Sequence, residues 1–308
     1  MISIVIPVYN EEKNIAVLHK KIVEVMRSLG GEYEIIFIDD GSTDNTFNAI
    51  RELAPVAAFR FARNCGQTGA LALGLQKARG NILVTLDGDL ENDPQDIPKL
   101  VAKLGEGYDI VSGWRQSRWH GQFFSRRMPS IIANWIISYF TGAKLHDHGC
   151  TLKAYRREAL SELKLFGETH RMIAAYAKLF NGAKLAEIPV NYKPRRFGSS
   201  KYGPLRSFKV VLDLLAVYFF YKYGHRPMHF FGGIGFFSFF FGFLTFLWMI
   251  YLKCFEATSF IKTPLPVLAA IFVIIGIQFI LMGLLAELLI KHSGGSQPHL
   301  LKEEIRNS

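Results

Sequence analysis

Apolar and polar positions follow two rhythms up to residue 115. Short β-favouring runs at Ile2–Val8, Tyr33–Ile38, Ala58–Phe61, Ile82–Leu86 and Ile110–Val111 predict five strands. Between them the apolar positions recur at helical spacing. Ile15, Leu18, Ile22, Val25 and Leu29 form the apolar face of one helix, with Asn10 as its expected N-cap. A second helix follows the second strand, and a third is expected over Gly69–Ala78. Such alternation predicts a parallel α/β sheet with ligands gathered at the carboxyl ends of its strands. Further on, a partly apolar helix is expected over Pro129–Phe140, with strands at Thr151–Tyr155 and near Leu185–Val190. Residues 205–223 mix Lys209 and Lys222 with Leu, Val, Tyr and Phe, the pattern of a helix lying on a membrane surface. The rhythm then disappears. Phe230–Leu252 and Pro264–Ala286 each run 23 residues without a charged side chain. At about 1.5 Å per residue, either helix crosses a hydrocarbon core of roughly 30 Å. The last dozen residues are polar and expected to be loose.

Composition agrees with two spans attached to a folded domain: of 308 residues, 50% are hydrophobic, and many of the 26 Phe lie beyond residue 228. The net charge of +10 would suit nucleic acid, but its placement points to a membrane. Lys201, Arg206, Lys209, Lys222 and Arg226 precede the first span and Lys291 follows the second, which favours a cytoplasmic location for both ends. Lys253 and Lys262, in the loop between the spans, are a weaker opposing signal. Cys65, Cys150 and Cys254 lie far apart without a CxxC pair, as expected in a reduced compartment. Met-Ile-Ser-Ile-Val at the start reads directly as a strand, so no signal peptide is expected.

The strand ends carry the candidate chemistry: Asn10-Glu11, Asp39-Asp40, Arg63-Asn64 and Asp87-Gly88-Asp89. Carboxylates at i and i+2, with Glu91 and Asp93 close behind, can share one hard cation, Mg²⁺ or Mn²⁺, whose other ligands come from a substrate diphosphate. An EF-hand fails, because Asn92 and Pro98 stand where its Gly and Glu belong. A polar turn capping the next helix is the competing reading. Neither GxGxxG nor GxxxxGK[ST] follows a strand, so this is not a standard dinucleotide fold or phosphate loop. His146, Asp147, His148 and Cys150 invite a zinc reading but lack the usual ligand spacing.

Several motifs together resemble one family. Val-Ile-Pro-Val-Tyr-Asn-Glu (5–11), Ile-Asp-Asp-Gly-Ser-Thr-Asp (38–44) and Leu-Asp-Gly-Asp-Leu (86–90) resemble family-2 glycosyltransferases of the GT-A fold. The run Asp147–Arg156 and the pattern Arg195…Gly198…Ser200-Lys201-Tyr202 are similar to the polyprenyl-phosphate glycosyltransferases, among them dolichyl-phosphate mannose synthases and undecaprenyl-phosphate sugar transferases. The resemblance implies a Rossmann-like mixed sheet over residues 1–204, an amphipathic juxtamembrane helix over 205–228 and a transmembrane hairpin over 229–292. The helices of that hairpin fall at about 230–252 and 264–290, and a polar cytoplasmic tail fills 293–308. It also implies roles for particular residues. Pro7, Tyr9, Glu11, Asp39 and Arg63 would hold the donor nucleotide, with Asp87 placing the cation beside it. Asp87 and Asp89 would be metal ligands and Glu91 a third, where the family commonly has Gln. Asp147 is the family's candidate base, Asp89 is catalytic with it, and Arg115, Arg118, Arg195 and Lys201 would answer the phosphates of donor and acceptor. The absence of Gln-x-x-Arg-Trp favours transfer of a single sugar over processive synthesis.

The resulting expectation is a metal-dependent, inverting enzyme of the cytoplasmic membrane face, moving one sugar from a nucleotide-sugar, UDP-hexose above others, to a polyprenyl phosphate. A membrane-bound transferase with another acceptor, a non-catalytic component of lipid-linked sugar export and a scaffold remain as rivals. Two spans without internal ionisable residues are too few for a transport path through one chain. A homo-oligomer stays open, and residues 195–202, basic and glycine-serine centred, are expected to act as a lid.

Overall fold

The computed structural model describes residues 1–116, 128–161, 169–194, 218–219, 222–223, 226–256, 259–292 and 301–307. The chain divides into two units, Met1–Val217 with His299–Ser308, and Tyr218–Pro298.

In the first unit the elements run β1 (Ile2–Val8), α1 (Glu12–Leu29), β2 (Tyr33–Asp39), α2 (Thr46–Arg51), β3 (Val56–Phe61), α3 (Gln67–Lys77), β4 (Ile82–Thr85) and α4 (Ile97–Gly105). They continue as β5 (Ile110–Trp114), α5 (Met128–Thr141), β6 (Lys153–Arg156), α6 (Ile173–Asn181) and β7 (Leu185–Pro189). The sheet order is β7-β5-β6-β4-β1-β2-β3, closed at the far edge by a strand from the end of the chain. β4, β1, β2 and β3 are mutually parallel. β6 runs antiparallel between β4 and β5, so the sheet is mixed, as the resemblance implied and simple alternation did not.

Strands buried on both faces read as continuous apolar runs, because successive side chains point to opposite sides. Ile4, Ile6, Val8 and Phe37 enter one core with Ile15, Leu18 and Ile22 of α1. Val5, Ile36 and Ile38 enter the other, with Ala70 and Leu71 of α3 and Ile173 of α6. The predicted face of α1 is therefore the buried one, although Leu29 is only half-buried. α3 lies so close to the sheet that a Cβ on Gly74 would stand 2.4 Å from Val5 Cγ1.

Two expectations are corrected. Asn10 is not the cap of α1, which starts at Glu12 with Glu11 in the cap position. Asn10 instead adopts φ 54°, and its side chain accepts a hydrogen bond from Thr43 N at 2.9 Å. The end of the chain is not uniformly loose either: Leu301–Asn307 form a strand antiparallel to β3 that covers the sheet edge.

In the second unit, α7 (Pro227–Phe255) and α8 (Leu265–His292) pack as an antiparallel pair. Both are long and apolar enough to cross a membrane. β8 (Leu301–Asn307) follows in sequence and belongs to the first unit. Of the surface helix expected over 205–228, Tyr218, Phe219, Lys222 and Tyr223 are described as helical, and Pro227 and Met228 already open α7.

Candidate active site

The loops after β1, β2 and β3 are bonded into one wall. Asn10 N donates to Ser42 Oγ at 2.9 Å and Glu11 N to Thr46 Oγ1 at 2.8 Å. Asp40 accepts hydrogen bonds from Cys65 N at 2.7 Å and Gly66 N at 2.9 Å, fixing the entry to α3. Burial raises the Asp40 pKa while those two amides oppose the shift. Gly41, at φ 72°, lies against the Arg63–Asn64 backbone, where a Cβ would be 2.6 Å from Arg63 C.

Asp39 is fully buried at the end of β2. Its Oδ1 accepts from Ser42 N at 2.9 Å. Its Oδ2 lies 3.2 Å from Arg60 Nε but has no hydrogen bond of good geometry among the described residues. That leaves a buried carboxylate oxygen available to a donor group from a ligand. Pro7 and Tyr9 are half-buried at the same end of the sheet, as is Glu11, whose Oε2 accepts from Asn14 Nδ2 at 2.6 Å. Arg63 is exposed.

The acidic strand end follows β4. Asp89 is buried and its Oδ1 accepts from Glu91 N at 3.0 Å. Asp87 Oδ1 accepts from Gln67 Nε2 at 2.7 Å. Desolvation, and then the charge of Asp89, push the Asp87 carboxyl up to about 7, while Thr151 and Arg115 pull it down. Crowded carboxylates of this kind suit a divalent cation, which relieves their repulsion. No three His, Cys, Asp or Glu groups converge as a ready metal site among the described residues. Glu91 is half-buried, and its carbonyl accepts from Lys193 N at 2.9 Å.

Asp147 sits beside this cluster in a two-point ion pair. Arg115 Nε and Nη2 donate to its two carboxylate oxygens at 2.8 and 3.0 Å, with the guanidinium almost fully buried. Burial works against the charged guanidinium, yet the facing Asp147 raises its pKa above the ordinary value. The Nε–Nη2 edge of the Arg115 guanidinium is therefore occupied by Asp147. The loop carrying Asp147 is held from β7. Glu187 accepts from Asp147 N at 2.9 Å, from His146 N at 3.0 and 3.1 Å, and lies 2.8 Å from His146 Nδ1. The His146 ring stacks on Trp114 at 4.4 Å.

His148 faces away, 3.1 Å from Ser138 Oγ, and burial, with Lys153 nearby, lowers its pKa to about 4. Burial raises the Cys150 pKa. The fully buried Lys153 ammonium donates to the carbonyls of His148 and Cys150, and burial lowers its pKa. Arg118, Arg195, Lys201 and the expected lid lie outside the described residues.

Sequence reasoning missed Arg60, Gln67, Lys153 and Glu187. Two of them share a signal, a lone charge inside an otherwise apolar strand at Arg60 and Glu187, whereas Lys153 opens a strand that also ends in Arg156. Buried charges are paired or hydrogen-bonded, so each one announces a partner without naming it.

The family model described as Glycosyl transferase family 2 matches residues 3–164. Dodecaprenyl-phosphate galacturonate synthase of Rhizobium johnstonii is 40% identical over 298 residues, covering 94% of this chain and 87% of that protein. Undecaprenyl-phosphate 4-deoxy-4-formamido-L-arabinose transferase of Pseudomonas fluorescens is 37% identical, covering 94% and 84%. Among solved structures, glucosyl-3-phosphoglycerate synthase from Mycobacterium tuberculosis, in complex with Mn²⁺, uridine diphosphate and phosphoglyceric acid, has the same fold. Its TM-score is 0.57 at 21% identity, covering 71% of this chain and 78% of that one.

Proposed function

The chain belongs to glycosyl transferase family 2, and on that premise we propose that it moves one sugar from a nucleotide-sugar, a UDP-hexose or derivative, to a polyprenyl phosphate. The observation that carries this reading is the meeting of two charge types at the strand ends. The Asp87–Asp89 pair suits a cation and diphosphate, while the Arg115–Asp147 pair beside it suits an acceptor phosphate. The relatives named for dodecaprenyl and undecaprenyl phosphate support a lipid acceptor.

In this reading Asp39 Oδ2 takes an N–H or O–H of the nucleoside, with Pro7, Tyr9, Glu11 and Arg63 forming the surrounding wall. Asp87 and Asp89 would hold Mg²⁺ or Mn²⁺, with Glu91 as a third ligand. Such a cation supplies charge neutralisation for the leaving diphosphate. An acceptor phosphate oxygen forms the new bond to the anomeric carbon from the side opposite the donor. The bond from that carbon to the diphosphate oxygen breaks with its electron pair, and the configuration inverts. A phosphate monoester has a second pKa near 6, so the acceptor is mostly dianionic at neutral pH and scarcely needs a base. Asp147, clamped by Arg115 and Glu187, then orients the acceptor or takes up a residual proton.

Two membrane-crossing helices, α7 and α8, would keep the site beside its lipid, with the basic residues before α7 and Lys291 on the cytoplasmic side. The pairing of β8 with β3 supports this topology, because it returns the chain after α8 to the unit that precedes α7. The test is transfer by purified protein in detergent, using undecaprenyl phosphate, a panel of nucleotide-sugars and Mg²⁺ or Mn²⁺. A lipid-linked monosaccharide is expected. Turnover of donor with soluble acceptors alone would overturn the reading.

A further inference from the structure

Asp39, Ser42 and Arg60 close a ring of polar contacts. Asp39 Oδ1 accepts from Ser42 N at 2.9 Å, Ser42 O accepts from Arg60 Nη2 at 3.0 Å, and Arg60 Nε lies 3.2 Å from Asp39 Oδ2. The ring follows from register. Asp39 of β2 and Arg60 of β3 are partners in the parallel ladder, so their side chains leave the same face of the sheet. Arg60 is held again by the buried Phe47 ring, whose centroid lies 5.2 Å from the guanidinium carbon.

A buried carboxylate needs a countercharge, and Arg60 supplies it. That role alone would be served by a pair closed on itself, but this one is open on one side. Among the described residues Asp39 Oδ2 accepts no hydrogen bond of good geometry and Arg60 Nη1 donates none. Arg60 keeps 26% of its side chain exposed, whereas Asp39 is fully buried. An acceptor and a donor therefore stand side by side, fixed in place before a ligand arrives.

We propose that Arg60 and Asp39 together read the base of the donor nucleotide, selecting an edge in which a carbonyl lies next to an N–H. The inference rests on the reading above that Asp39 Oδ2 takes a group of the nucleoside, and it adds Arg60 as the residue that sets the choice. Uracil presents such an edge with its N3–H and a neighbouring carbonyl, and guanine does so with N1–H. Cytosine and adenine present the reverse, an amine beside a ring nitrogen that only accepts. As a carboxylate facing a guanidinium, Asp39 is an acceptor only, so it would meet a lone pair on either of those bases while Arg60 met an N–H. A buried site with two unmatched polar contacts rejects a ligand more strongly than the loss of one bond would suggest.

The test is calorimetric titration of the full chain in detergent with UDP, CDP and the diphosphate of 3-methyluridine, which is uridine without its N–H. All three share ribose and diphosphate, so differences in affinity belong to the base. UDP is expected to bind about ten-fold tighter than either of the others. Asp39→Asn, whose amide can donate as well as accept, should weaken UDP about ten-fold and bring CDP to within about three-fold of it. Arg60→Met keeps an apolar stem over Phe47 and should lower the UDP-to-CDP ratio about ten-fold. Melting temperatures taken alongside establish that the variants fold; if Arg60→Met does not, 3-methyluridine and Asp39→Asn decide. Equal binding of UDP and the 3-methyluridine diphosphate would overturn the proposal. So would losses falling equally on UDP and CDP in the variants, which would make the ion pair purely structural. If neither UDP nor CDP binds the unaltered protein, the nucleotide reading fails and the inference with it, whereas binding of both without discrimination defeats the inference alone.

Discussion

Arg115 and Asp147 face one another through two parallel contacts of 2.8 and 3.0 Å, one from Nε and one from Nη2. A guanidinium fork fits a carboxylate in that geometry, and an ammonium does not. Arg115→Lys is therefore expected to fold and bind nucleotide while transfer drops about 10–100-fold, because Asp147 loses its fixed orientation. Arg115→Ala removes the buried guanidinium that faces Asp147 through two hydrogen bonds and should cost about 3 kcal/mol of stability. Thermal unfolding in detergent, with transfer assays alongside, checks both. Normal kcat in Arg115→Lys would remove the orienting role.

Glu187 provides the second hold on the same loop. Glu187→Ala should lower kcat with little change in donor KM, since the nucleotide wall at Asp39 and Asp40 is separate from it. Glu187→Gln, which keeps one acceptor oxygen, should recover part of the rate. Equal losses in both variants, with unfolding at lower temperature, would make the residue purely structural.

Asp89→Asn is expected to leave the fold intact and abolish lipid transfer, because one charge is lost from the proposed cation site. EDTA should do the same to the unaltered protein, reversibly. Glu91→Gln should shift the preference between Mg²⁺ and Mn²⁺ while keeping some activity. Undiminished transfer in EDTA would count against the metal.

His148 gives a pH dependence with a definite sign. Its pKa lies at about 4, below the ordinary 6.5, so the native state favours the neutral ring. The associated stability is fully present above pH 6.5 and is lost as pH falls towards 4, amounting to about 3 kcal/mol. His148→Gln should flatten the melting-temperature profile across that window. A slope as steep as that of the unaltered protein would assign the acid sensitivity elsewhere.

The two exposed cysteines test topology without added probes. Cys65 lies at the entry to α3, and Cys254 near the end of α7. An impermeant maleimide should label Cys254 in intact cells and Cys65 only after lysis. The reverse pattern would invert the proposed orientation.

The sequence alone determined the features that depend on local spacing. Ile4, Ile6 and Val8 alternate with Val5 because strand neighbours point to opposite faces, and Ile15, Leu18 and Ile22 share a face because a helix turns every 3.6 residues. The carboxylates at the ends of β2 and β4 were legible for the same reason, as were the two long apolar helices. Only the tertiary structure decided which distant groups meet. β6 enters the sheet antiparallel between β4 and β5, and β8 returns to pair with β3. Arg60 comes to lie beside Asp39, Gln67 reaches Asp87, and Glu187 binds the amides of a loop 40 residues earlier. Those contacts follow from sheet order and register, which are set by the packing of the whole domain; Arg60 and Glu187 leave a lone strand charge as their trace in the sequence, and Gln67 leaves none.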